Sequence, residues 1–484
     1  MVTAGALRLA SLSTQPGGLY PDEAAEGFDA LRLLHQPGFH PVFFLDDAGR
    51  EGLYAYLVAA AFRLAGESAV TLRATSAVIG TVAVLAAYGW LRRWGTATAL
   101  TGAAWMGGSL WLICISRDGM RNVLVPLVGA LAVWAMAAWA DRPSRKRALI
   151  AGAAMALGLW TYQPLKLLPV LLALWLWWLN RQYPVLWQRL RGGLAALAIA
   201  YVIVGAPMLV TAILEPGPYF GRAVGVSIAG HDGGAASLGI HTLRTLGMFA
   251  FTGDPNQRHD VDGLPLLGLP LTLLMLLGAW RAWRARRQDP AAALVLIAVP
   301  VFLLPPLIGT ADAAPHFLRS IGLAAPLAAL IGLGAAEVVA VRREVLRPPW
   351  PAVLVALLIG ATTTLGAVAY FTRPASHRYA DYSFNLVQLS GAIRPDQASI
   401  VLLDYYQGTD VRFLNYSAVV SQRVSVVDPA AGRRPVEPAR SGGCAVLALS
   451  SKDISSVYGP TVAGTSAAVA WDPQGRPTVW RGDC

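Results

Sequence analysis

Near the N-terminus the chain reads Gly18-Leu19-Tyr20-Pro21-Asp22-Glu23-Ala24, an adjacent pair of carboxylates placed after a proline turn, where a helix over 23–34 is expected to begin. A carboxylate beside an acceptor hydroxyl can take its proton as a general base. The same two residues are also accounted for as a helix cap and solvated first turn. A second charged group closes this segment, Gly49-Arg50-Glu51-Gly52-Leu53-Tyr54, in which Glu51 opens an apolar stretch. Ionised groups cost several kcal/mol at the bilayer centre, so those held at its edge tend to be paired or functional.

Four further motifs bring cations. Ser116-Arg117-Asp118-Gly119-Met120-Arg121 sits between two apolar runs, and Tyr162-Gln163-Pro164-Leu165-Lys166 puts a lysine at the start of the next. Gly253-Asp254-Pro255-Asn256-Gln257-Arg258-His259 ends a long polar loop, and Pro315-His316-Phe317-Leu318-Arg319 begins another apolar run. Arginine and lysine bind phosphate oxygens through charge-assisted hydrogen bonds, arginine often in bidentate fashion. Self-paired polar turns and snorkelling interface cations explain each motif singly. Taken together, a carboxylate and several fixed cations suit a phosphate-linked sugar.

What must position these residues is a membrane. The 484 residues are 55% hydrophobic and only 14% charged, against roughly a quarter charged in soluble domains. A net charge of +11 does not point to nucleic acid, because the basic residues sit in short clusters between long apolar runs. At roughly 20 apolar residues per span, about ten are expected, near 69–91, 97–115, 121–140, 148–162, 165–180, 193–214, 264–283, 291–309, 320–340 and 350–371. The stretch from Glu51 to Leu64 is too short to span and reads as an interfacial helix.

Basic clusters fall on alternate connections: Arg92 and Arg93; Arg142, Arg145, Lys146 and Arg147; Arg181, Arg189 and Arg191; Arg281, Arg284, Arg286 and Arg287; and Arg342, Arg343 and Arg347. By the positive-inside rule these are cytoplasmic. The opposite segments, 1–68, 116–120, 163–164, 215–263, 310–319 and everything after about 372, are then extracytoplasmic and hold all seven histidines. The expected organisation is a membrane region over 1–372, with a first outer loop at 1–50, and an extracytoplasmic domain over 373–484. In that tail a helix over 383–393 precedes β-rich runs at 399–403, 423–427, 444–449 and 467–471, which reads as a small α/β domain. If the tail is outside the cytoplasm, Cys444 and Cys484 are placed to form a disulfide.

On these motifs the chain resembles the GT-C superfamily of polyprenyl-phosphate-sugar glycosyltransferases, in particular the bacterial branch related to protein O-mannosyltransferases and the aminoarabinose transferases of lipid A. The resemblance covers residues 15–372 and implies transfer, with inversion, of a sugar from a polyprenyl-phosphate donor to an acceptor hydroxyl, with or without a divalent metal. It places Asp22 at the catalytic acidic residue with Glu23 beside it, and Lys166 where the family often has a phosphate-binding arginine. Arg117, Arg121, His316 and Arg319 are further candidates for the same phosphate, and Arg50, Glu51, Asp118, Asp254 and His259 complete the shared motifs. The chain departs from the family in lacking its first membrane helix, so a helix upstream of this sequence is expected. A bacterial plasma membrane with the site and the tail outside follows from the resemblance. The competing reading is a transporter or flippase for a lipid-linked or anionic solute, which would also want cations near a cavity.

Overall fold

The computed structural model describes residues 1–46, 49–225, 227, 235–309, 314–341, 350–373, 378–431, 444–458 and 466–483. Among them, six helical segments are long and apolar enough to cross a membrane: Ala69–Trp94, Arg121–Asp141, Pro184–Leu214, Pro290–Ile308, Arg319–Ala340 and Trp350–Thr372. A seventh span is the pair Thr96–Gly108 and Leu110–Arg117, bent by 55° at Ser109. The remaining expected spans are helical as well, but shorter or less apolar: Arg145–Ala156 with a following 3-10 turn, Leu168–Gln182 and Gly268–Ala285. The protein is thus a multi-pass α-helical membrane protein. An apolar run folds this way in lipid because a helix satisfies its own backbone groups.

The bundle packs closely where side chains are small. A Cβ on Gly278 would strike the carbonyl oxygen of Leu330, and one on Gly334 that of Leu274. Two helices, Gly268–Ala285 and Ala324–Val341, therefore meet backbone to backbone, as small residues permit in membranes.

On one side of the bundle lies a layer of shorter elements. Helix α1 (Pro21–His35) has proline at its first turn, where a missing N–H costs nothing. It is followed by a two-residue antiparallel pair, Phe43–Phe44 with Arg50–Glu51, and by α2 (Leu53–Ala65), which occupies the stretch expected as an interfacial helix. Leu31, Tyr54, Val58, Phe62 and Leu72 form the core of this layer.

After the last span, α3 (Phe384–Gly391) leads into five strands: β1 (Ala398–Leu402), β2 (Val424–Val427), β3 (Cys444–Ala448), β4 (Ala467–Trp471) and β5 (Pro477–Asp483). The sheet order is β2-β1-β3-β5-β4, with β1 parallel to β2 and β3, and β5 antiparallel to β3 and β4. The strands β1, apolar but for Ser399, and β3, apolar throughout, are buried along their length, as parallel central strands require, whereas β4 alternates exposed and half-buried residues at the edge. Cys444 is disulfide-bonded and Cys114 is free and buried. Cys484, the expected partner of Cys444, lies outside the described residues, as do the 342–347 basic cluster, His231 and His377.

This tail packs directly on the segment that precedes the first span. Helix α4 (Gly408–Leu414) lies against α1, and Phe413 stacks on Phe62 at 6.2 Å and seats its ring where a Cβ on Gly27 would come within 2.6 Å of it.

Candidate active site

Helix α1 sets out its carboxylates in register. Glu23, Glu26 and Asp29 recur every third residue and so share one face. All three are buried, and each meets an arginine from a different element. Arg73 donates to Glu23 at 2.6 and 2.8 Å, Arg121 to Glu26 at 2.8 Å, and Arg50 to Asp29 at 2.7 and 3.0 Å. Arg121 also donates to Glu51 at 2.9 Å, and the second Glu51 oxygen lies 3.0 Å from Lys166 Nζ. A buried chain Glu26, Arg121, Glu51, Lys166 thus runs from the helix toward the 163–167 turn. Burial alone would raise Glu51, but Lys166 and Arg121 hold its carboxyl below the usual range. For Glu26 and Asp29 burial outweighs the arginines, and Asp29 is pushed up to about 7.

One residue earlier on α1, and about 100° around it, Asp22 lines a cavity of about 610 Å³ instead. Tyr406, from the loop before α4, donates its hydroxyl to Asp22 Oδ1 at 3.0 Å. Lys166 reaches the same cavity with its ammonium 3.8 Å from the centre of the Tyr219 ring. Arg258 lies 3.4 Å over the ring of Tyr20, and its Nε has no hydrogen-bond partner among the described residues. Arg319 donates to the carbonyl of Gly309 at 2.9 Å. Leu167, Phe220, Pro305, Ile308 and Leu318 supply apolar wall.

The third wall is built by the 253–259 turn and the start of the 315–323 segment. Asp254 Oδ2 accepts from His259 Nδ1 at 3.0 Å and from the backbone N–H of Phe317 at 2.6 Å, so one carboxylate joins two distant segments. His316 sits with its ring 5.1 Å from that of His259. Burial lowers His259 to about 4 against the pull of Asp254, which leaves a neutral imidazole at neutral pH.

Of the residues singled out from sequence, Asp22, Lys166, Asp254, His259, His316 and Arg319 share this cavity. Glu23, Arg50, Glu51 and Arg121 lie behind it, in the ion pairs described. Arg117 is fully buried elsewhere, donating to the carbonyls of Leu7, Arg8 and Gln15 at 3.0–3.1 Å beneath Tyr370 and Phe371. Asp118 accepts from the Tyr382 hydroxyl at 2.5 Å, and burial together with Glu23 raises it to about 7. A divalent cation held jointly by Asp22 and Glu23 does not fit, because the Glu23 carboxylate is turned to Arg73 and to the N–H of Gly119.

Arg258, Tyr20 and Tyr406 were not singled out. Arg258 stood one residue before a nominated histidine, whereas nothing local marks Tyr406 as a neighbour of a residue 384 positions away.

Residues 52–209 match the family model described as dolichyl-phosphate-mannose-protein mannosyltransferase. A search of curated protein sequences gives no significant match. Among solved structures, the chain is similar to ArnT from Cupriavidus metallidurans bound to undecaprenyl phosphate, at 14% identity and a TM-score of 0.61, covering 99% of this chain and 96% of that one. The same enzyme in the apo state aligns at 16% identity and a TM-score of 0.58, covering 96% and 93%. Over nearly its whole length the chain has the fold of ArnT, and over residues 52–209 the family model agrees with the resemblance read from the sequence motifs.

Proposed function

We propose that the protein transfers a glycosyl group from a polyprenyl-phosphate sugar to an acceptor hydroxyl at the extracytoplasmic edge of the membrane, with Asp22 as general base. The observation that carries this reading is the meeting in one cavity of the Asp22 carboxylate, the cations Lys166, Arg258 and Arg319, and an apolar flank. The undecaprenyl phosphate bound by the structurally similar ArnT supports the donor class.

The acceptor oxygen attacks the anomeric carbon while its proton passes to Asp22. The bond from that carbon to the phosphate oxygen breaks, and the electron pair leaves with the polyprenyl phosphate. The extra negative charge on the leaving phosphate is met by fixed cations, which stabilise it more than they stabilise the bound donor. Attack opposite the leaving group inverts the anomeric centre.

The test is transfer from a panel of polyprenyl-phosphate sugars by purified protein in lipid. Asp22→Asn is expected to lower the rate by at least about 100-fold, the span of a lost general base, with an unchanged unfolding midpoint. Full transfer by that variant would remove Asp22 from the mechanism. No transfer by either protein, with lipid flipping observed instead, would favour a flippase.

A further inference from the structure

The geometry points to a divalent transition-metal site formed by Asp254, His259 and His316 in the wall of the cavity. One ligand atom from each of the three lies within 4.8 Å of the other two. All three are buried, His259 and Asp254 at 1% exposure and His316 at 9%. His259 Nδ1 and Asp254 Oδ2 already stand 3.0 Å apart, the spacing of two ligand atoms on one metal, and with Nδ1 bound to the metal the ring proton resides on Nε2.

The protein frame limits how the three can move. Asp254 is fixed by the N–H groups of Asn256 at 2.9 Å and Phe317 at 2.6 Å, and His259 is tied to it at 3.0 Å. The N–H of Arg319 lies 3.4 Å from His316 Nδ1. Ligand atoms around a metal at about 2.0–2.2 Å stand a little over 3 Å apart. A modest turn of the His316 ring closes the difference.

Two imidazoles and one carboxylate make a borderline donor set, which suits Zn²⁺, Co²⁺, Mn²⁺ or Fe²⁺ and disfavours the all-oxygen preferences of Mg²⁺ and Ca²⁺. Three protein ligands leave at least one position for an outside ligand. All three residues line the cavity that also holds Lys166, Arg258 and Arg319. A cation beside those cations is favoured only when an anion joins them, so the open position is one for a phosphate oxygen. Metal and phosphate then bind cooperatively, each raising the affinity of the other by the same factor. The role toward a donor phosphate rests on the function proposed above, whereas metal binding itself does not.

The experiment is Zn²⁺ titration of the full-length protein in detergent by calorimetry, with and without inorganic phosphate, and Co²⁺ absorption spectra on the same samples. One equivalent of Zn²⁺ is expected, with Co²⁺ visible bands of a site of low coordination number. His316→Gln and Asp254→Asn are expected to weaken Zn²⁺ binding by tenfold or more, while His35→Gln, altering an exposed histidine paired with Glu67, leaves it unchanged. Unfolding midpoints check that each variant is folded, and the wild-type Co²⁺ spectrum needs no variant. No stoichiometric Zn²⁺ in the wild type, or undiminished binding in His316→Gln and Asp254→Asn, overturns the site. Zn²⁺ affinity unmoved by phosphate overturns the anion role and leaves the metal site standing. A protein that binds Zn²⁺ here and transfers no sugar keeps the site and loses the enzymatic reading.

Discussion

Asp22 and Glu23 are chemically alike and adjacent, yet the helix turns them to different work. Glu23 neutralises a buried arginine, and taking away one partner of such a pair costs about 3–5 kcal/mol, because the other charge stays buried alone. Glu23→Gln is therefore expected to lower the thermal unfolding midpoint by several degrees, and Glu23→Gln with Arg73→Met to recover much of it; a thermal-shift series in detergent reads both. Asp22→Asn, by contrast, leaves the midpoint in place. Arg258 gives a second contrast at this scale. Its planar guanidinium stacks on Tyr20 and offers a fork of donors that an ammonium cannot reproduce. Arg258→Lys is expected to raise KM for the lipid-phosphate donor by roughly tenfold, the loss of about 1.4 kcal/mol, with KM for the acceptor unchanged in steady-state kinetics.

At the level of elements, the tail is part of the layer built by α1 and α2 rather than an appendage to it. Tyr406 reaches Asp22, Phe413 enters the core beside α1, and Tyr382 closes on Asp118 at the turn after the bent span. The last of these contacts is sensitive to protons. Asp118, at about 7 in the folded protein against an ordinary 3.8, keeps a proton that the unfolded chain has already released between those pH values. Its contribution to stability consequently falls as pH rises from about 4 to 7 and is level above that. Asp118→Asn stays neutral throughout, so its unfolding midpoint should drop less than that of the wild type between pH 5 and 7.5. Asp29 carries a shift of the same sign in both proteins, and the difference between the two curves isolates Asp118. Parallel curves would show that Asp118 is already ionised at pH 5.

For the molecule as a whole, the apolar runs made the spans legible, because twenty residues without charge have few other ways to fold, and the short apolar runs of β1 and β3 made the tail readable as a small α/β unit. The strand β5 escaped, since Pro477 and the charged residues near its end mask its pattern. What no single stretch could reveal is which charges meet: the three-residue spacing of Glu23, Glu26 and Asp29 is visible in the sequence, but their arginines come from positions 73, 121 and 50. The same holds for the cavity, which collects residues from four separated motifs. Sidedness can be put to a direct test, because the alternating basic clusters predict one orientation. Single cysteines placed at Gln474 in the tail and at Arg284 and Arg189 in the basic connections, in a background where Cys114 stays buried, should react differently with a membrane-impermeant maleimide on intact cells. Labelling is expected at position 474 without permeabilisation, and at 284 and 189 only after it. The reverse pattern would put the cavity on the cytoplasmic face, where a lipid-linked sugar donor would have to be presented from inside, and would overturn the extracytoplasmic reading while leaving the geometry of Asp22 and its cations intact.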